Sequence, residues 1–265
     1  MIKCVRFKSF PNLNYPFLPC FEKTNILDLS QPITIFVGDN GSGKSTLLKA
    51  IAYDNQSINV SGQSQASLTY QDVKKLGPYI ECAYEYKTKK GFFFSGEEFM
   101  TYIQYLKNTK EILEDDLKRI EKEYRSKSAF SRAQARMAPM GQLSQMNQIY
   151  GGELNKKSHG ESFLAFFKSR MHQKGLYLLD EPETPLSAEN QYQLMVLISD
   201  LIENGSKVII ATHSPILMAL EKAQIYHFGD DLIEPMRYED IETVQFMKDF
   251  LNHKDLYLSR IKKRD

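Results

Sequence analysis

The run Gly38-Asp39-Asn40-Gly41-Ser42-Gly43-Lys44-Ser45 constrains this chain more than any other stretch. It follows Ile33–Val37, a short β-rich run, and it leads into Lys44–Ala52, which reads as a helix. Glycines at this spacing let the main chain turn its N–H groups inward around phosphate oxygens. The helix that follows adds the positive end of its dipole. Lys44 is then placed to reach the terminal phosphates, and the Ser45 hydroxyl to bind Mg²⁺, with Thr46 the neighbouring hydroxyl. A strand, a loop and a helix in this order belong to an α/β sheet with helices packed on it.

Two further segments supply chemistry of the same kind. Leu176-Tyr177-Leu178-Leu179-Asp180-Glu181-Pro182 is an apolar strand that carries two acids to its carboxyl end, where open α/β sheets bind ligands. Asp180 is expected to hold Mg²⁺ through water, and Glu181 to orient or deprotonate an attacking water. His213, in Ile210-Ala211-Thr212-His213-Ser214-Pro215, follows another short strand and so emerges at the same edge. A neutral imidazole there suits a hydrogen bond to a terminal phosphate. Ser158-His159-Gly160-Glu161-Ser162 opens a helix. It has two readings: a capping box of Ser158 with Glu161, or an anion site at a helix N-terminus.

The rest of the chain fits a mostly parallel, doubly wound sheet with an antiparallel β portion and an inserted helical subdomain. Strands are expected at Ile2–Phe7, Leu176–Leu179, Lys207–Ala211 and Gln224–Phe228, with helices at Glu161–Met171 and Ala188–Glu203. Tyr79–Tyr86 and Phe92–Phe94 read as a hairpin around Lys87–Gly91. From Glu97 to about Arg136, Ile103, Leu106, Leu113, Leu117, Ile120 and Tyr124 recur at helical spacing, with Glu114/Lys118 and Asp115/Arg119 as i,i+4 pairs. Ala138–Lys157, rich in Met, Gln, Gly and Asn, reads as a mobile connection. The division is therefore 1–96, 97–157 and 158–265, the middle part being the insertion.

The net charge of +1 excludes no partner, since only local patches matter. The stretch Lys118–Arg136 holds Lys118, Arg119, Lys122, Arg125, Lys127, Arg132 and Arg136, as against Glu121 and Glu123. It reads as a phosphate-contacting surface or as a solvated helix face. Cys4, Cys20 and Cys82 have no metal-ligand spacing and are expected to be reduced thiols of a cytoplasmic protein. Neither a signal peptide nor a membrane span is expected.

Taken together, these motifs resemble the ABC class of P-loop ATPases. Gly38–Ser45 looks like Walker A, Leu176–Glu181 like Walker B with its catalytic Glu, and Ser158–Glu161 like the signature. Pro185-Leu186-Ser187-Ala188 looks like the D-loop and His213 like the switch histidine. Within that class the chain resembles small bacterial stand-alone AAA-family ATPases of the RecF/SMC/OLD-related branch. The resemblance implies binding and hydrolysis of ATP with Mg²⁺. It also implies an ATP-gated head-to-tail homodimer, in which Ser158, Gly160 and Glu161 of one copy close on the nucleotide of the other. Transporter subunits usually carry Leu-Ser-Gly-Gly-Gln where this chain has Ser-His-Gly-Glu, and often Asp where it has Ser187. Glu97, Glu98 and Gln104 are the candidates for the Q-loop position, and Tyr15, Phe17 and Phe21 for an adenine-stacking ring. The implied roles are a switch in a nucleic-acid-linked system (repair or defence) or control of a partner effector protein. A nucleotide-binding subunit of a transporter is the alternative. A small-molecule kinase would need neither the signature nor the histidine.

Overall fold

The computed structural model describes residues 1–12, 14–60, 71–149 and 159–262. In chain order the elements begin with β1 (Ile2–Phe7), α1 (Pro19–Thr24), β2 (Ile26–Asp28), β3 (Ile33–Gly38) and α2 (Lys44–Asp54). Next come α3 (Gln71–Leu76), β4 (Ile80–Tyr84), β5 (Gly91–Ser95), α4 (Gly96–Glu123) and α5 (Ala129–Ile149). The remainder holds α6 (His159–Arg170), β6 (Leu176–Asp180), α7 (Ala188–Glu203), β7 (Lys207–Ala211), α8 (Pro215–Met218), β8 (Gln224–Phe228), β9 (Ile233–Pro235), α9 (Glu242–Asn252) and α10 (Lys254–Lys262).

Two sheets result. The larger has the order β5-β6-β7-β3-β8-β9, parallel except for β9. The smaller, β2-β1-β4, is antiparallel. Its presence meets the expectation of an antiparallel portion beside a parallel sheet. Strands β3, β5, β6 and β7 of the large sheet are buried and mainly apolar on both faces, as strands covered on both sides must be. Alternate residues go to opposite cores: Phe92, Phe94, Tyr177, Leu179, Val208 and Ile210 pack with Phe163 and Phe167 of α6 and Leu194 and Ile198 of α7. Phe93, Leu178, Ile209 and Phe228 pack with Leu47, Leu48 and Ile51 of α2 and with Ile2 and Val5 of β1. The large sheet is thus sandwiched between α6–α7 and a layer made of α2 and the small sheet. Lys207 ties that layer down: its buried Nζ donates to the carbonyls of Ile2 at 2.8 Å, Ser30 at 3.1 Å, and Leu29.

The structure corrects several expectations. Tyr79–Tyr86 and Phe92–Phe94 do not form a hairpin. β4 pairs with β1 in the small sheet, whereas β5 pairs with β6 in the large one. The reason is burial: Phe92, Phe93 and Phe94 are all buried and need cover on both faces, which a hairpin at the surface lacks. Ala138–Ile149, expected as loose connection, is helical as the end of α5, which packs against α4 as an antiparallel hairpin. Residues 150–158 lie outside the described residues. On α4 the ion pairs are Lys110–Glu114, Lys118–Asp115 and Arg119–Asp116 rather than Glu114/Lys118 and Asp115/Arg119. Helix α3 carried no periodic signal. Among the described residues no helix is long and apolar enough to cross a membrane. Burial pushes the thiol of Cys20 up to about 11 and that of Cys82 up to about 12, so both stay protonated and unreactive at neutral pH.

Candidate active site

Strand β3 ends at Gly38, and the chain then folds over the start of α2. Gly43, the residue before α2, has φ of 99°, and a Cβ there would lie 2.4 Å from Leu18 Cδ1 and 2.8 Å from Phe21 Cζ. Only glycine combines that backbone with that contact. The helix start has no side-chain cap, which leaves its first N–H groups for another acceptor. Lys44 Nζ donates to the carbonyls of Gly38 at 2.8 Å and Asp39 at 2.7 Å, and lies 3.4 Å from Ser42 Oγ. Burial lowers the Lys44 pKa, and the carboxylates of Glu181, Asp180 and Asp39 oppose that shift.

Parallel pairing brings the acids to the same edge. Asp180 ends β6 in register with Ser95 of β5 and Ala211 of β7. It is buried, and Ser45 Oγ donates to its Oδ1 at 2.7 Å. Burial pushes the Asp180 carboxyl up to about 6, against the Ser45 hydrogen bond and the charge of Lys49. Glu181 sits next to it with φ of 46°, a left-handed backbone that is strained for a non-glycine residue. Its N–H donates to the carbonyl of Ala211 at 2.8 Å, which holds the turn against β7. Behind it lies Gly96, where a Cβ would come within 2.3 Å of the Glu181 carbonyl oxygen. His213 Nε2 stands 3.9 Å from Glu181 Oε1 and is buried without a hydrogen-bond partner. The His213 main-chain N–H donates to Glu183 Oε1 at 2.7 Å.

A cleft of about 530 Å³ runs along these groups. Its lining includes Asn40, Gly41, Gly43, Lys44, Ser45, Thr46, Glu181, His213 and Tyr15. Of the expected residues, Asn40, Gly41, Gly43, Lys44, Ser45, Thr46, Glu181 and His213 therefore meet at one cleft, and Asp180 joins them through Ser45. The donor set fits a magnesium-bound polyphosphate: uncapped helix N–H groups and a lysine for anionic oxygens, and a hydroxyl beside a buried carboxylate for a hard divalent cation. The unpartnered His213 Nε2 adds one more polar atom at the cleft.

Other expectations fare differently. Ser158 lies outside the described residues. His159, Gly160 and Glu161 open α6, and their side chains lie outside them as well. Of the three aromatic candidates only Tyr15 lines the cleft. Phe17 and Phe21 are buried, and Phe21 stacks on Phe7 with ring centroids 5.3 Å apart, so core packing has claimed both rings. Lys49 was not singled out from the sequence, and Glu183 only as the end of Asp180-Glu181-Pro182-Glu183, a run that resembles the RecF/SMC/OLD-related branch. Lys49, one turn after Ser45, makes an ion pair with Glu98 at 3.4 Å, and Glu98 Oε2 accepts from Asn59 at 3.1 Å. The Ser45–Lys49 spacing was a readable signal, but its partner across the fold was not.

A family model described as AAA ATPase domain matches residues 85–218, and one described as AAA domain matches residues 7–127. The petrobactin import ATP-binding protein YclP of Bacillus subtilis is 23% identical over 236 residues, covering 83% of this chain and 85% of the relative. The macrolide export ATP-binding/permease protein MacB of Photorhabdus laumondii is 25% identical over 187 residues, 69% of this chain and 26% of the relative. The chain thus spans about a quarter of the length of the first curated relatives it matches. Among solved structures, an Smc head bound to the C-winged helix domain of ScpA has a TM-score of 0.49 at 14% identity, covering 89% of this chain and 97% of its own. The Smc head of Pyrococcus furiosus bound to the C-terminal domain of ScpA has a TM-score of 0.48 at 12% identity, covering 94% and 99%.

Proposed function

This chain belongs to the AAA ATPase domain family, and from that premise we propose that its cleft binds ATP with Mg²⁺ and hydrolyses it to ADP and phosphate. The observation that carries the reading is the 2.7 Å contact of Ser45 with Asp180, made where Lys44, Glu181 and His213 line one cleft. The loop from Gly38 to Thr46 holds the phosphates with main-chain N–H groups. Lys44 exchanges the carbonyls of Gly38 and Asp39 for phosphate oxygens. Ser45, and Asp180 through water, would hold Mg²⁺, which would supply charge neutralisation for the transferred group. Glu181 accepts the proton of the water that attacks the terminal phosphorus, as the bond to the bridging oxygen breaks. His213 donates to the terminal phosphate through Nε2 and holds it in line. Tyr15 is the ring available to the base.

The proposal extends to a head-to-tail dimer in which Ser158, Gly160 and Glu161 of a second copy close the cleft. Glu181→Gln removes the base and keeps Asp180. Its expected behaviour is ATP binding, loss of hydrolysis by about 10²–10³-fold, and a dimer mass only with ATP and Mg²⁺. A variant that binds ATP yet stays monomeric overturns the dimer and leaves the ATP site standing. Wild-type protein that fails to hydrolyse ATP overturns the activity itself.

The preferred setting is a nucleic-acid-linked system or a partner effector protein, supported by the basic end of the α4–α5 hairpin, where Lys122, Arg125 and Lys127 are exposed beside Phe130. A transporter subunit is the second reading, supported by the relative named for petrobactin import. Co-purification with a permease distinguishes it.

A further inference from the structure

The His213 loop is held by side chains that the reaction as proposed does not use. Glu183 lies two residues after Glu181, on the turn that leaves β6. Its Oε1 accepts the main-chain N–H of His213 at 2.7 Å, and the Thr212 hydroxyl on the same loop also favours the ionised carboxylate. Glu183 has also given its own main-chain carbonyl to the N–H of Leu186 at 2.8 Å. The next residue of the loop, Ser214, donates from Oγ to Gln191 Oε1 at 2.6 Å. Gln191 in turn donates through Nε2 to the carbonyl of Leu186 at 3.1 Å. These bonds close a ring: the Glu183 side chain to residue 213, residue 213 to 214 along the chain, Ser214 to Gln191, Gln191 to Leu186, and Leu186 back to Glu183. The ring joins the turn after β6 and the start of α7 to the loop after β7.

We infer that Glu183 and Gln191 are positioning residues: Glu183 holds the main-chain N–H of His213 and Gln191 the hydroxyl of Ser214, so that the His213 ring stays on the Glu181 side of the cleft. The inference rests on the ATPase reading of that cleft. The clamp does not touch the His213 ring: Glu183 takes the His213 main-chain N–H and Gln191 takes the Ser214 hydroxyl. Glu183 holds the N–H of His213 and leaves the ring free to use Nε2. A lone carboxylate oxygen at 2.7 Å fixes where residue 213 begins, and the Ser214–Gln191 bond fixes where it ends. With the main chain set, the ring keeps only its own side-chain rotations, and in this structure it stands 3.9 Å from Glu181. What the clamp requires at position 183 is an acceptor. Charge is not needed for that bond, and burial already raises the Glu183 pKa above the ordinary carboxylate value. Gln191 must both accept and donate, which an amide does and a carboxylate or a methionine does not.

The experiment is a double-mutant cycle on ATP hydrolysis and nucleotide affinity, using full-length chain. Wild type is measured first: absence of hydrolysis defeats the ATPase reading, and the cycle is interpreted only where wild type turns over. Glu183→Ala is expected to lower kcat about tenfold with ATP affinity changed less than threefold. Glu183→Gln keeps the acceptor and is expected to recover most of that loss. In a His213→Ala background, Glu183→Ala is expected to cost less than twofold more, because the residue it positions is gone. The same cycle with Gln191→Met, at a partly exposed position that tolerates the change, serves if Glu183→Ala does not fold. Full additivity of Glu183→Ala, or of Gln191→Met in its place, with His213→Ala overturns the clamp. So does a Glu183→Gln variant as impaired as Glu183→Ala, since it would mean that charge at residue 183 matters in its own right.

Discussion

At the residue scale the buried carboxylate of Asp180 sets a measurable price for the site. Its pKa near 6 in the fold compares with about 3.9 in an unfolded chain. Between those values the folded state binds more protons, so unfolding free energy falls as pH rises from about 4 to about 6, by roughly 2–3 kcal/mol in all. The sign is the reverse of the usual carboxylate held by a cation. Asp180→Asn keeps an acceptor for Ser45 and removes the buried charge. Without Mg²⁺ it is expected to melt at a higher temperature than wild type at pH 7 and to lose that pH dependence; under the proposed ATPase reading it also loses hydrolysis when Mg²⁺ is supplied. A lower melting temperature at pH 7 would mean that Asp180 is charged at little cost. The strained φ of Glu181 belongs to the same account: the fold tolerates it where the main chain is pinned between Ala211 and Gly96.

At the element scale the question is how the α4–α5 hairpin meets the cleft. Helix α4 starts at the end of β5, beside Asp180, with Ser95 as its N-cap. Its first turn carries Glu98, whose carboxylate reaches across to Lys49 on α2. Both side chains are largely buried, at 8% and 17% exposed, so removing one strands the other. Glu98→Ala is expected to destabilise the fold by about 3 kcal/mol, read by denaturant titration; a change under about 1 kcal/mol would show that the pair is solvated. This contact joins the helix that carries Ser45 to the root of the hairpin, in the stretch where the resemblance locates a Q-loop residue. The far end of the hairpin, some 40 Å along α4 from its rise per residue, holds Lys122, Arg125, Lys127 and the 77% exposed Phe130. Three other cations of the stretch have acidic partners: Lys118, Arg119 and Arg136. Under the nucleic-acid reading, replacing Arg125 and Lys127 with Ala is expected to weaken binding to a DNA duplex and to reduce the salt slope by about 2. Binding that ignores salt, or that the replacements leave unchanged, removes the hairpin end from consideration.

At the scale of the whole molecule, two sheets of different kinds must act as one body around the cleft. Lys207 holds them at the edge opposite the site, with one buried ammonium group on three carbonyls. Lys207→Met fills the same volume and removes the donors. It is expected to cost about 3 kcal/mol and lower Tm by roughly 8 °C, measured by calorimetry. An unchanged Tm would show that the sheets hold together through apolar packing alone. Much of this molecule was legible before any coordinates. The loop from Gly38 to Ser45, the strand ending at Asp180 and the strand before His213 are local patterns: hydrophobic period, glycine spacing and helix starts all act within a few residues. Such patterns determine which groups are presented at a strand end, and so the α/β class and the Lys44, Ser45, Asp180, Glu181 and His213 set. Tertiary structure decided what depends on partners far apart in the chain. It sent β4 and β5 to different sheets, because three consecutive buried phenylalanines need cover on two faces. It took Phe17 and Phe21 into the core and left Tyr15 on the cleft. It also paired Lys49 with Glu98 and Glu183 with the main chain of His213, contacts that no local period encodes because their energy exists only once separate segments are packed together.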